Sequence, residues 1–233
     1  ISALSFTGVL ALAFNKNLLR KVLTTLTSFA AGALLAVAFF DLMPEAFQIL
    51  GEKVFTTVLL GLIVFFILER IIHWHHCHDE NCEFHTEHYL NLIGDGFHNF
   101  LDGAIIAASY LIDFKLGVAT TIAVAAHEIP QEIGDFAILV NAGFSEKKAL
   151  LFNFLSAITA ILGGLLTIYF SSLVDNLVPI LISLSAGGFI YISTADLLPA
   201  ISKESNRKRL VINSLAFLLG ISVLYFTLSL NFG

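Results

Sequence analysis

Two runs in the middle of the chain concentrate side chains that bind cations. GDGFHNFLDG carries Asp95, His98, Asn99 and Asp102, and AAHEIPQEIGDF carries His127, Glu128, Gln131, Glu132 and Asp135. At about 100° per residue, His98 and Asp102 share one helical face a turn apart, as do His127 and Gln131, and Glu128 and Glu132. Asp95 and Asp102, seven apart, fall within about 20° of each other. Each run therefore presents a polar stripe, H-N-x-x-D in the first and H-E-x-x-Q in the second. An acid held in a membrane costs about 2.5–3.5 kcal/mol, and neither run has a Lys or Arg to offset its acids. The compensating cation is a metal ion or protons, and the spacing favours a metal. Imidazole with carboxylate and amide oxygens suits Zn²⁺, Fe²⁺ or Mn²⁺. With no Cys in the set, the ion should be held less tightly than in a structural zinc site. That suits a cargo, which must be released.

The elements that must position these stripes are apolar helices. The 233 residues are 57% hydrophobic and 13% charged, with a mean hydropathy of +0.87. Soluble domains carry about 45–50% apolar and about 25% charged residues, so an ordinary soluble globule is excluded. A net charge of −6 argues against a nucleic-acid partner, and two cysteines cannot make a disulfide scaffold. Apolar stretches cover residues 1–14, 22–40, 54–68, 88–112, 116–140, 149–170, 177–200 and 210–230. They are too long for barrel strands and lack period-2 alternation. The expectation is an all-α membrane protein of eight transmembrane helices, one polytopic domain over 1–233. The first stretch is short, and the chain begins with Ile, so further residues are expected before it. A cleaved signal peptide is the alternative, but no basic segment precedes the stretch.

Ten of the twelve Lys and Arg fall in the odd-numbered loops, and only Lys53 and Lys115 in the even ones. Basic loops face the cytoplasm, which puts both termini outside a cell (plasma or inner) membrane. Ala31-Gly32 and Asp41-Leu42-Met43-Pro44 reappear 155 residues later as Ala186-Gly187 and Asp196-Leu197-Leu198-Pro199. The copies end spans 2 and 7, which run in opposite directions. Inverted repeats mark one class of transporter. The expected arrangement is 3+2+3, with spans 1–3 and 6–8 as inverted repeats around spans 4 and 5. Asp41 and Asp196 are then either an entrance and an exit ligand or two helix-end caps. Pro130 leaves the Ala126 carbonyl without its helical partner, which either presents an oxygen to an ion or only kinks the helix. Gly94, Gly96, Gly103 and Gly134 read as close-packing residues.

HNFLDG and HEIPQEIGDF closely resemble the ZIP (Zrt-, Irt-like) family of divalent-metal transporters, above all the subgroup whose fifth helix reads HE-x-P-H-E-x-GDF. The eight spans, the external termini and the D-L-x-P ends of spans 2 and 7 extend the likeness over nearly the whole chain. The resemblance implies a binuclear metal site between spans 4 and 5. One ion would be bound by His98, Asp102, His127 and Gln131. A second would be bound by Asn99, Asp102, Glu128 and Gln131, with Asp102 and Gln131 bridging. The chain departs from the subgroup at Gln131, where the subgroup has His and other members often have Glu. It also departs in span 6, which offers Asn153, Ser156 and Thr159 but not the acid that some members supply.

Loop 3, residues 73–87 and the adjoining His88, holds six of the eight His and both Cys (Cys77 and Cys82). Its expected role is metal capture on the cytoplasmic side, the alternatives being a defined zinc site or a plain solvated loop. The expected partners are divalent metal ions and the lipid bilayer, and a homodimer is compatible with the reading. Zn²⁺, or else Fe²⁺, Mn²⁺ or Cd²⁺, is expected as bound substrate and not as a catalytic cofactor. The rival is an intramembrane metal-dependent hydrolase. Its H-E-x-x-H signature is broken at Gln131.

Overall fold

In a bilayer the backbone must satisfy its own hydrogen bonds, and every regular element among the described residues is helical. The structure, a computed structural model, describes residues 1–10, 16–74, 86–199 and 206–229. A 3₁₀ helix (Ser2–Val9) precedes α1 (Lys16–Val37), which passes through a π-helical turn (Ala38–Leu42) into α2 (Met43–Leu50). Next come α3 (Lys53–Trp74), α4 (Thr86–Ile112) and α5 (Phe114–Asn141). Then follow α6 (Glu146–Ala157), α7 (Thr159–Ser171), and α8 (Leu177–Tyr191) with a second π-helical turn (Ile192–Leu197). The last element is α9 (Arg207–Ser229).

Four stretches among the described residues are long and apolar enough to cross a membrane: Leu18–Leu50, Glu146–Ser171, Leu177–Ala195 and Arg207–Thr227. The sequence reading expects eight. α4 and α5 have the length, at 27 and 28 residues, but the acids of the polar stripes interrupt their apolar runs. Within the first span, residues 2–9 are 3₁₀ where an α-helix is expected. Ser5 and Thr7 donate their hydroxyls to the carbonyls of Ser2 and Leu4, and these bonds to residues three back accompany the tighter winding. The His/Cys-rich expectation lies outside the description, since residues 75–85 are not among those described.

The molecule buries several polar side chains within its apolar core and exposes large apolar ones. Asn99, Asp102, Glu128, Glu132 and Asn153 are buried, whereas Phe55, Leu165, Leu215 and Phe226 are exposed. That distribution suits a lipid solvent.

Backbone contacts knit two helix pairs, α1 with α9 and α3 with α8. Gly32 faces the carbonyl of Phe217 and Gly220 that of Phe29; Gly187 faces the carbonyl of Val58 and Gly61 that of Leu184. An added Cβ at any of the four would lie 2.0–2.1 Å from that oxygen, so no larger residue fits. The two seams correspond position by position: Gly32 and Gly187, and Phe29 and Leu184, keep the spacing of the sequence repeat. The two π-helical turns also fall on the two D-L copies. Among the expected packing glycines, Gly103 abuts the Ala160 carbonyl of α7, whereas a Cβ on Gly134 would meet nothing within 4 Å.

α4 and α5 form a hairpin with Asp113 alone between them. Its extended backbone (φ −155, ψ 146) and its carboxylate, which accepts from the Lys115 and Leu116 N–H groups, cap α5. Thr120 donates to the Ser109 hydroxyl across the hairpin at 3.1 Å. So tight a turn sets the register. His98 lies 15 residues before Asp113 and His127 14 after it, depths of about 22 and 21 Å along the two helices.

Candidate metal centre

That register brings the two imidazoles together, with His98 Nε2 3.1 Å from His127 Nε2. Asp102, one turn along α4, places Oδ2 3.9 Å from His98 Nε2 and 3.3 Å from His127 Nε2. Glu128 Oε1 lies 3.5 Å from each imidazole Nε2. One ligand atom from each of the four residues falls within 4.8 Å of all the others. A tetrahedral zinc with ligands at about 2.1 Å has ligand–ligand edges of about 3.4 Å. The separations of 3.1–3.9 Å bracket that value, so the four groups fit one ion.

The hydrogen bonding fits a cation as well. His127 Nδ1 lies 3.3 Å from the Ala123 carbonyl; donating its N–H there leaves the Nε2 lone pair directed at the site. Asp102 Oδ2 and both Glu128 carboxylate oxygens are buried and accept no hydrogen bond. Buried acceptor atoms without hydrogen bonds are costly unless a cation joins them.

Asn99 and Gln131 share a neighbouring acid. Their amide nitrogens donate to Asp95 Oδ1, Asn99 at 3.2 Å and Gln131 at 2.9 Å. The Ser156 hydroxyl of α6 donates to Asp95 Oδ2 at 2.5 Å. Of the six residues named from the sequence, the structure thus brings four into one cluster and turns two toward Asp95. Glu128 stands in the cluster with His98, Asp102 and His127. The part played by Asp95 is missed by sequence reasoning, although its i, i+4 spacing to Asn99 is a visible signal. Ser156 carries no such signal, because its partner lies 61 positions away.

α6 ends and α7 begins beside this site. Thr159 donates to the Gly96 carbonyl at 2.5 Å, and Ser2 donates to the Ala157 carbonyl at 2.7 Å. Asn153 donates to the carbonyls of Ser5 and Glu132. Pro130 does not end α5, which runs through it. A cavity of about 470 Å³ adjoins the cluster, its wall including His98, His127, Asp95, Gln131 and Pro130, and reaches Glu69 and Tyr191, which are hydrogen-bonded to each other.

A sequence model described as ZIP Zinc transporter matches residues 1–88 and 73–228. The zinc transporter ZIP13 of Pongo abelii is 33% identical over 218 residues, 87% of this chain and 66% of that protein. The zinc transporter zipt-7.2 of Caenorhabditis elegans is 41% identical over 142 residues, 59% of this chain and 30% of its own length. The IAA-alanine resistance protein 1 of Arabidopsis thaliana is 42% identical over 144 residues, 58% of this chain and 29% of its own. The chain thus spans less than a third of the length of the last two relatives.

Proposed function

The chain belongs to the ZIP zinc transporter family, and from that premise we propose that it carries divalent transition-metal ions, zinc foremost, across a membrane into the cytoplasm. The observation that carries this reading is the cluster of His98, Asp102, His127 and Glu128, whose buried oxygens lack donors. These four are the core ligands, with Asn99 and Gln131 contributing amide oxygens. The family's description is of transporters, and nothing in it favours the hydrolase reading.

Three further features belong to the proposal. The 3+2+3 inverted repeat is supported by the matched glycine seams and the paired π-helical turns. Termini outside and basic loops inside follow from the distribution of Lys and Arg. Release toward the cytoplasm is supported by the cavity, which extends from the imidazoles toward Glu69 near the end of α3 and Leu23 early in α1. Those ends adjoin the basic residues Arg70, Arg20 and Lys21.

Uptake of radioactive zinc into liposomes holding the purified protein tests the reading, with Fe²⁺, Mn²⁺ and Cd²⁺ as competitors. Saturable uptake that competing metals suppress is expected. Uptake no faster than into empty liposomes would overturn it.

A further inference from the structure

We infer that Asp95 is a positioning residue for the metal site, deciding which end of the Asn99 and Gln131 amides faces the ion. The inference rests on the metal-transport reading above. In both residues the amide atom that meets the Asp95 carboxylate is the nitrogen, the donor end of the group. Asn99 Nδ2 and Gln131 Nε2 both meet Asp95 Oδ1. A planar amide held by its nitrogen directs its oxygen elsewhere. Asn99 is fully buried, and its Oδ1 accepts no hydrogen bond, a vacant oxygen fit for a cation.

Asp95 is itself fixed from a third helix. Ser156 of α6 donates to its second carboxylate oxygen, so both oxygens are engaged and the carboxylate cannot turn freely. Asp95 is thus held from α4, α5 and α6, and is nearly buried at 6% exposure. Were the carboxylate removed, each amide could rotate to present its NH₂ group to the ion, which repels it. Gln131 has particular need of this control, because an amide has one ligating and one repelling end.

The test is a mutant cycle read as the KM for zinc uptake in proteoliposomes. Asp95→Asn should raise KM about tenfold, the effect typical of losing a group that orients a ligand. Added to an Asn99→Ala/Gln131→Ala protein, the same change should move KM less than about twofold, because the groups it acts through are gone. Should Asp95→Asn fail to reach the membrane, Ser156→Ala loosens the same carboxylate. It should raise KM about threefold in the wild type and leave the double variant unchanged. An equal rise in both backgrounds, or none in the wild type, would overturn the inference. If the wild type shows no saturable uptake, the transport reading fails by itself. The cycle is then read by titrating the purified proteins with zinc, where the same pattern of affinities supports Asp95 and an additive pattern overturns it.

Discussion

The glycine seams and the α4–α5 hairpin are both buried, yet they are finished in opposite ways. In the seams, Gly32, Gly61, Gly187 and Gly220 bring helix backbones into contact, and the fit is complete within the protein. In the hairpin, His98, Asp102, His127 and Glu128 converge with buried oxygens that accept nothing. Unpaired buried acceptors cost about 1–3 kcal/mol each, and more when charged, so a cation that joins them stabilises the second region. Small residues between membrane helices bring close packing. Ionisable ones there mark a function.

The sharpest way to break that contrast is to fill a seam. Gly187→Val places carbon where the Val58 carbonyl stands, and the folded protein is expected to vanish from the monodisperse peak in size-exclusion chromatography. Asp102→Ala should have the opposite profile, with a normal chromatographic peak and zinc uptake reduced at least about a hundredfold. Wild-type uptake by a well-expressed Asp102→Ala protein would remove Asp102 from the site.

Glu128→Gln separates stability from function within the hairpin. Replacing this buried acid by an amide should raise the melting temperature of the metal-free protein, by about 2–4 °C for a gain of ~1 kcal/mol. The further rise on adding zinc should shrink, and calorimetry or dye melting with and without zinc reads both. Gln131→His should act more mildly. An imidazole favours zinc, so apparent zinc affinity is expected to rise about severalfold over manganese while the maximal rate falls, as competition uptake assays would show. The smallest effect belongs to neither region. Deleting residues 73–85 is expected to leave uptake within about twofold, since none of the proposed core ligands lies there; complete loss would put the segment in the pathway.

Much of this contrast was legible along the chain. The apolar runs of α7, α8 and α9 announce a lipid solvent, and the i, i+4 pair of His98 and Asp102 announces a ligand-bearing face. The A-G pairs that hold Gly32 and Gly187 are visible in the sequence, but which backbone each glycine meets is not. Gly134 was misread as a packing residue because a glycine in a helix looks the same whether or not a neighbour stands over it. The 3₁₀ winding of residues 2–9 was equally hidden, since Ser5 and Thr7 could as well have bonded four residues back.

By itself the sequence determined what is periodic or additive: a membrane-spanning helical chain and two polar stripes without basic partners on consecutive helices, within which the family resemblance implies six ligands. The helical repeat and the cost of burying charge depend only on residue type and spacing, so both can be computed along one chain. Tertiary structure alone decided that Glu128 joins His98, Asp102 and His127 while Gln131 turns to Asp95. That choice depends on how far α4 and α5 rotate about their axes once Asp113 fixes their register. It depends also on Ser156, which α6 brings to Asp95 from 61 positions away. Rotation and long-range approach are set by packing among several helices, and no single helix's sequence contains them.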